Sequence, residues 1–99
     1  KKLDMFKDRL VEIFIDRNKG MWTRYYALSA LGVFEDRSLF NIFVNGLNDE
    51  NGLIIIGCIR ALADLNDKKA MSYILPFTDN PNEDVKSAAE SVMEKLEKV

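Results

Sequence analysis

One cysteine, no histidine and scattered carboxylates are all the reactive chemistry this 99-residue chain offers. Cys58 is a nucleophile only as a thiolate, and without His nothing in the sequence is placed to activate it. The same absence removes Ser-His-Asp triads, imidazole acid–base catalysis and the usual zinc sites. Carboxylates gather at Asp49-Glu50, at Asp64 and Asp67, and at Asp79 with Glu83-Asp84. Each group falls at an expected helix end, where capping and the helix dipole account for it. A calcium loop needs oxygen ligands at alternate positions with glycine sixth, and neither Gly20 nor Gly52 follows such an array. No glycine-rich phosphate loop occurs. The residues therefore predict no catalytic, metal or cofactor site, and a buried, inert Cys58.

Charge narrows the partners. Fourteen basic against 16 acidic residues give a net charge of −2, the wrong balance for a dedicated nucleic-acid binder. A thin basic set remains at Arg24, Arg60 and Lys86, with Trp22, Tyr25 and Tyr26 near enough in sequence to stack on bases. Glu90 and Glu94 interrupt it, so solvated helix surface is the expected reading. The three aromatics are expected to pack at a helix start. The longest apolar run, Leu53–Ile56, is far below the ~20 residues that cross a bilayer. An acidic residue enters at Asp4, which fits neither a secretory nor a transit peptide. A lone cysteine forms no internal disulfide, and a cytoplasmic location follows as the default. Beginning at Lys1 rather than Met leaves open that the chain is a piece of a longer protein.

A composition of 47% hydrophobic and 30% charged residues, with five Gly and two Pro, suits one ordered globular domain. Helical spacing dominates it. Leu3, Phe6, Leu10, Ile13 and Phe14 share one helix face, and Asn18-Lys19-Gly20 breaks the pattern. Ala27, Ala30, Leu31 and Phe34 mark a second helix from Trp22. Leu39, Ile42, Phe43 and Leu47 mark a third, and Asn48 to Gly52 is a turn. The fourth runs from about Leu53 to Leu65. Ala70, Tyr73, Ile74 and Phe77 mark a fifth, its last turn distorted by Pro76. Before the sixth, Asn80 is expected to cap, with Pro81 in the first helical position and Glu83 reaching back. Leu53–Ile56 and Phe40–Val44 have strand-like composition, but their longer spacing is helical.

Self-similarity makes the reading specific. Thr23, Ile54 and Val85 stand 31 apart, as do Ala27, Cys58 and Ala89. Ala30, Ala61 and Val92 repeat the offset, and so do Leu31, Leu62 and Met93, and Phe34, Leu65 and Leu96. The third and fifth helices follow less strictly, with Leu39 over Ala70, Ile42 over Tyr73 and Phe43 over Ile74. Small residues at Ala27, Cys58 and Ala89 let neighbouring helices approach, and larger ones beyond fill the gap. A lone helix pair cannot bury both faces, whereas three stacked pairs can. A six-helix bundle with an accidental register is the weaker alternative.

These columns resemble HEAT repeats, in particular the short HEAT-like units seen in phycobilisome-lyase-type proteins. The matching residues are Thr23, Arg24, Ala27, Ala30, Leu31 and Phe34 in the first unit. In the second they are Asp49, Ile54, Cys58, Ala61, Leu62 and Leu65, and in the third Asp79, Val85, Lys86, Ala89, Val92, Met93 and Leu96. Tetratricopeptide and ankyrin signatures are missing. The resemblance implies an all-α, right-handed α-α superhelix of three helix pairs, six helices in all, with units at roughly 1–35, 36–66 and 67–99. Such units usually carry a ladder of turn Asp and second-helix Arg. Here Arg24 is expected to pair with Asp49 across the first junction, while Ile55 stands where the next Arg belongs and cannot pair with Asp79.

The resemblance also puts the second helix of each pair on the concave side. Arg24, Tyr25, Leu28, Ile56, Ile59 and Arg60 would then form an apolar-aromatic face edged by arginine, the composition of a protein- or peptide-binding surface. Packing of Leu28 and Ile59 between helices is the competing expectation. A non-catalytic scaffold is the leading reading; a lyase-type or chaperone-like role towards a bilin-carrying or other protein is the runner-up. The last helix is polar on one side, as a terminal cap should be. The first is apolar on several sides, adding Met5, Val11 and Ile15, so further structure or a second copy is expected there.

Overall fold

The computed structural model describes residues 2–99. Among them are six α-helices: α1 (Lys2–Ile15), α2 (Met21–Val33), α3 (Phe40–Gly46), α4 (Gly52–Asp64), α5 (Ala70–Ile74) and α6 (Glu83–Glu97). A 3₁₀ turn, Arg37–Leu39, leads into α3, and another, Leu75–Asp79, continues α5. No strand occurs among the described residues, so the β-branched runs are helical as expected. Pro76 lies in the second 3₁₀ turn, where its missing N–H ends the α-helical ladder.

Packing follows chain order. The second helix of each pair touches the next: α2 meets α4, and α4 meets α6. On the other side α1 covers α2, α3 covers α4, and α5 with its 3₁₀ extension covers α6. The smallest extent is 15 Å, room for two helix layers whose axes lie about 8–10 Å apart and no third. The architecture is an all-α helical solenoid.

Burial reproduces the columns. Ala27, Cys58 and Ala89 are all buried, as are Leu31 and Leu62, Leu65 and Leu96, and Ile54 and Val85. Only the first member of that last column, Thr23, is exposed. Close approach explains the glycines here: a Cβ on Gly46 would collide with Cys58 Sγ and Phe14, and one on Gly57 with Leu28.

Caps recur at the same offset. Asn51 Oδ1 accepts from Leu53 N at 2.9 Å to start α4, and Asn82 Oδ1 accepts from Asp84 N at 2.9 Å to start α6. The cap of α6 is therefore Asn82 and not Asn80. Asn80 instead accepts from the Asn82 amide, as Asp49 accepts from Asn51, and Pro81 stands before the helix. In α2 the capping position is Gly20, which has no side chain to accept.

Among the described residues only Glu35 and Asn66 have positive φ, 48° and 53°, each just past a second helix. Asn adopts this left-handed turn at little cost, whereas Glu adopts it under strain. Replacing Glu35 with glycine should raise stability by about 0.5–1 kcal/mol, the relieved strain exceeding the added unfolded-state freedom. Urea denaturation checks it, and a less stable variant would count against strain at this turn.

Candidate binding face

The second-helix layer carries two grooves. One lies between α2 and α4, lined among others by Tyr25, Ser29, Gly32, Arg60 and Asp64. The other lies between α4 and α6, lined by Ile56, Arg60, Asp84, Ser87 and Lys95 among others. Arg60, exposed on α4, borders both. The grooves exist because α4 is small towards its neighbour: Gly57 and Ala61 let α2 sink in against them.

Of the residues expected to form a binding face, the structure brings Tyr25 and Arg60 to the rim of the first groove. Ile56, buried at 8% exposure, contributes only a wall of the second. Leu28 and Ile59 are 1% and 0% exposed. They are core, and the expectation that they present a surface is corrected. For Leu28 the reason is steric: it packs against Gly57, and that contact brings α2 and α4 together.

Arg24 is also interior, at 6% exposure, and its work is structural. Its Nη2 donates to Asp49 Oδ2 at 2.6 Å and its Nε donates to the Phe14 carbonyl at 2.9 Å. The guanidinium thus joins three segments: the end of α1, α2 itself and the turn before α4. Phe14 O is one of the last carbonyls of α1, which the helix leaves unpaired. Asp49 Oδ1 accepts from Asn51 N at 2.9 Å, and Arg17 adds a second cation at 3.5 Å from Oδ2. Burial pulls the Asp49 carboxyl upward, but Arg24, the Asn51 amide and Arg17 outweigh it, and its pKa lies below the ordinary value. At the second junction the position equivalent to Asp49 is Asn80, not Asp79, and Ile55 replaces the arginine. Apolar packing holds that junction, with an exposed Asp64–Lys95 pair at 3.7 Å.

Arg24 is therefore withdrawn from the basic set Arg24, Arg60 and Lys86, which leaves Arg60 and Lys86. Burial, with the Asp49 charge adding to it, pushes the Cys58 thiol up to about 12, where thiolate chemistry is closed at neutral pH. Among the described residues no three His, Cys, Asp or Glu side chains cluster to hold a metal ion. No described helix is long and apolar enough to cross a membrane.

Sequence reasoning missed Trp22 and Tyr26, which were expected to pack at the helix start. They are 56% and 65% exposed. Trp22 stacks on Tyr26 with ring centroids 6.0 Å apart and meets Tyr25 edge-on. A signal was present: Tyr26 stands in register with Gly57 and Ala88, positions kept small where another helix lies on them. On α1, Met5 and Ile15 are exposed as the apolar excess suggested, whereas Val11 packs on the core; Leu3 and Phe6, which share a face with Leu10 and Phe14 in the sequence pattern, are exposed as well.

A family model for HEAT repeats matches residues 8–94. No curated protein matches the chain.

Proposed function

From the premise that the chain belongs to the HEAT-repeat family, we propose that it is a non-catalytic adaptor that grips a protein or peptide partner along its two grooves. HEAT repeats generally serve as scaffolds for protein interaction and are typically non-enzymatic. The observation that carries the proposal is the position of Arg60, exposed on the ridge shared by both grooves, with half-buried Tyr25 across the first. Arg and Tyr are the residue types that most often dominate binding energy. Asp64, Asp84 and Lys95 give the rim both signs of charge, which suits fixing the register of a bound segment. A cytoplasmic setting agrees with a reduced, buried Cys58. The lyase-type reading has no residue to carry it.

The test compares affinity capture by the native chain with capture by Tyr25→Ala/Arg60→Ala. A partner held by the first and lost by the second, at equal helical circular dichroism, supports the groove. Loss of a hot-spot arginine or tyrosine should weaken binding by about 2 kcal/mol or more, roughly thirtyfold. Equal recovery of the partner by both would sink the assignment.

A further inference from the structure

Two guanidinium groups converge on a single carboxylate oxygen. Arg24 Nη2 lies 2.6 Å from Asp49 Oδ2, and Arg17 Nε lies 3.5 Å from the same atom. Within this cluster one positive charge is left without a counterpart. Arg24 uses Nη2 on Asp49 and Nε on the Phe14 carbonyl, and its Nη1 has no hydrogen bond among the described residues. That nitrogen is not sealed in, since every fully buried side-chain nitrogen and oxygen described has a partner. A cavity of about 260 Å³ borders both arginines. Phe14 and Ile15 at the end of α1, with Ile42 of α3, give it apolar walls; Arg17, Arg24 and Asn45 give it polar ones. Asn45 is exposed, and its side chain has no partner among the described residues. Among the described residues no carboxylate lines this cavity. The neighbouring opening, which the two arginines also border, carries both Asp49 and Glu50 and suits an anion less.

We propose that this cavity takes the free carboxyl terminus of a polypeptide ending in an aliphatic residue. The terminal carboxylate accepts from Arg24 Nη1 and from the Arg17 guanidinium, in charge-assisted bonds, and supplies the missing negative charge. The aliphatic side chain lies against Phe14, Ile15 and Ile42, and the last amide N–H donates to Asn45 Oδ1. Size sets the limit: the cavity falls just under the roughly 300–1,000 Å³ of pockets that hold a whole small molecule. It has room for one residue and its carboxylate, not for a long acyl chain. An inorganic anion would leave the apolar walls unfilled. Arg24 is buried and already fixed by two bonds, so its donor is in place before the ligand arrives and little ordering cost remains. None of these residues borders either groove of the second-helix layer, so this site and the groove reading are tested separately.

The probe is N-acetyl-leucine, titrated into the 99-residue chain at neutral pH and followed by backbone amide NMR shifts. Saturable shifts should appear at Ile15, Arg17, Asn45 and Gly46, with about millimolar affinity for a ligand of this size. N-acetyl-leucinamide, which lacks the charge, should bind at least about tenfold more weakly. Acetate has the charge without the side chain, and octanoate has a chain too long for the cavity; both should bind more weakly than the probe. Arg17→Gln and Asn45→Asp should each weaken N-acetyl-leucine at least about tenfold. Both positions are exposed, so helical circular dichroism should be unchanged. Shifts that never saturate, or that fall on other residues, overturn the proposal. So do equal binding of the amide, binding of acetate or octanoate as tight as that of the probe, or full binding by both variants.

Discussion

Replacing Asp49 with alanine is expected to cost the domain about 3–5 kcal/mol, because it strands the Arg24 guanidinium in the interior. Both side chains are almost sealed, at 8% and 4% exposure. Arg24 would keep only its bond to Phe14 O, and the Asn51 amide would lose its acceptor. A whole domain has about 5–15 kcal/mol of stability, so chemical denaturation will register the change clearly. Arg24→Lys should recover only part of the native stability, since an ammonium cannot reach both partners with the fork of a guanidinium. A loss below about 1 kcal/mol for Asp49→Ala would put the pair with surface salt bridges and refute its role as a clasp.

The same pair contributes to the pH profile. Asp49 and Asp36 both have folded-state values below the ordinary carboxylate. Asp36 is held down at about 2 by Lys7, with the Ser38 hydroxyl and amide adding. A carboxyl lowered in the folded state stabilises above its unfolded value and loses that contribution as pH falls through the folded one. Stability should therefore decline from about pH 4 downward. In Asp49→Ala that decline should be shallower, with Asp36 still contributing.

The second large effect concerns Ile59. Truncation to alanine should cost about 2–5 kcal/mol, the range for a fully buried aliphatic residue, while Arg60→Ala beside it should stay within about 0.5 kcal/mol. Thermal or urea unfolding of the two variants separates core from surface one residue apart. The pair also guards the binding test: partner loss with Ile59→Ala would reflect an unfolding domain, whereas loss with Arg60→Ala would not. An Ile59→Ala chain as stable as the native one would mean that the α4 core is looser than its burial indicates.

The solenoid was legible because its code is redundant. Each second helix restates the pattern of a small residue followed by larger ones, so Ala27, Cys58 and Ala89 validate one another. The first helices are less uniform and α1 does not follow the columns. Asn80 reads as a cap in the sequence because Asn-Pro-Asn offers two acceptors two residues apart. Geometry chooses Asn82, leaving Asn80 to turn the chain as Asp49 does. The binding face was harder to read, for a physical reason. A helix wheel places Leu28 and Ile59 outward only if neighbouring helices keep their distance, and for Leu28 Gly57 removes that distance. The exposure of Tyr26 is illegible for the converse reason, since it depends on how α1 and α4 lie about α2.

The strictly sequential packing has a kinetic consequence. Helices touch chiefly their partner in the pair or the next second helix, so few native contacts require distant stretches of chain to meet. Low contact order of this kind goes with rapid folding. The barrier should fall on docking one pair against another, and a chain leaving the ribosome could settle pair by pair before its last helix is made.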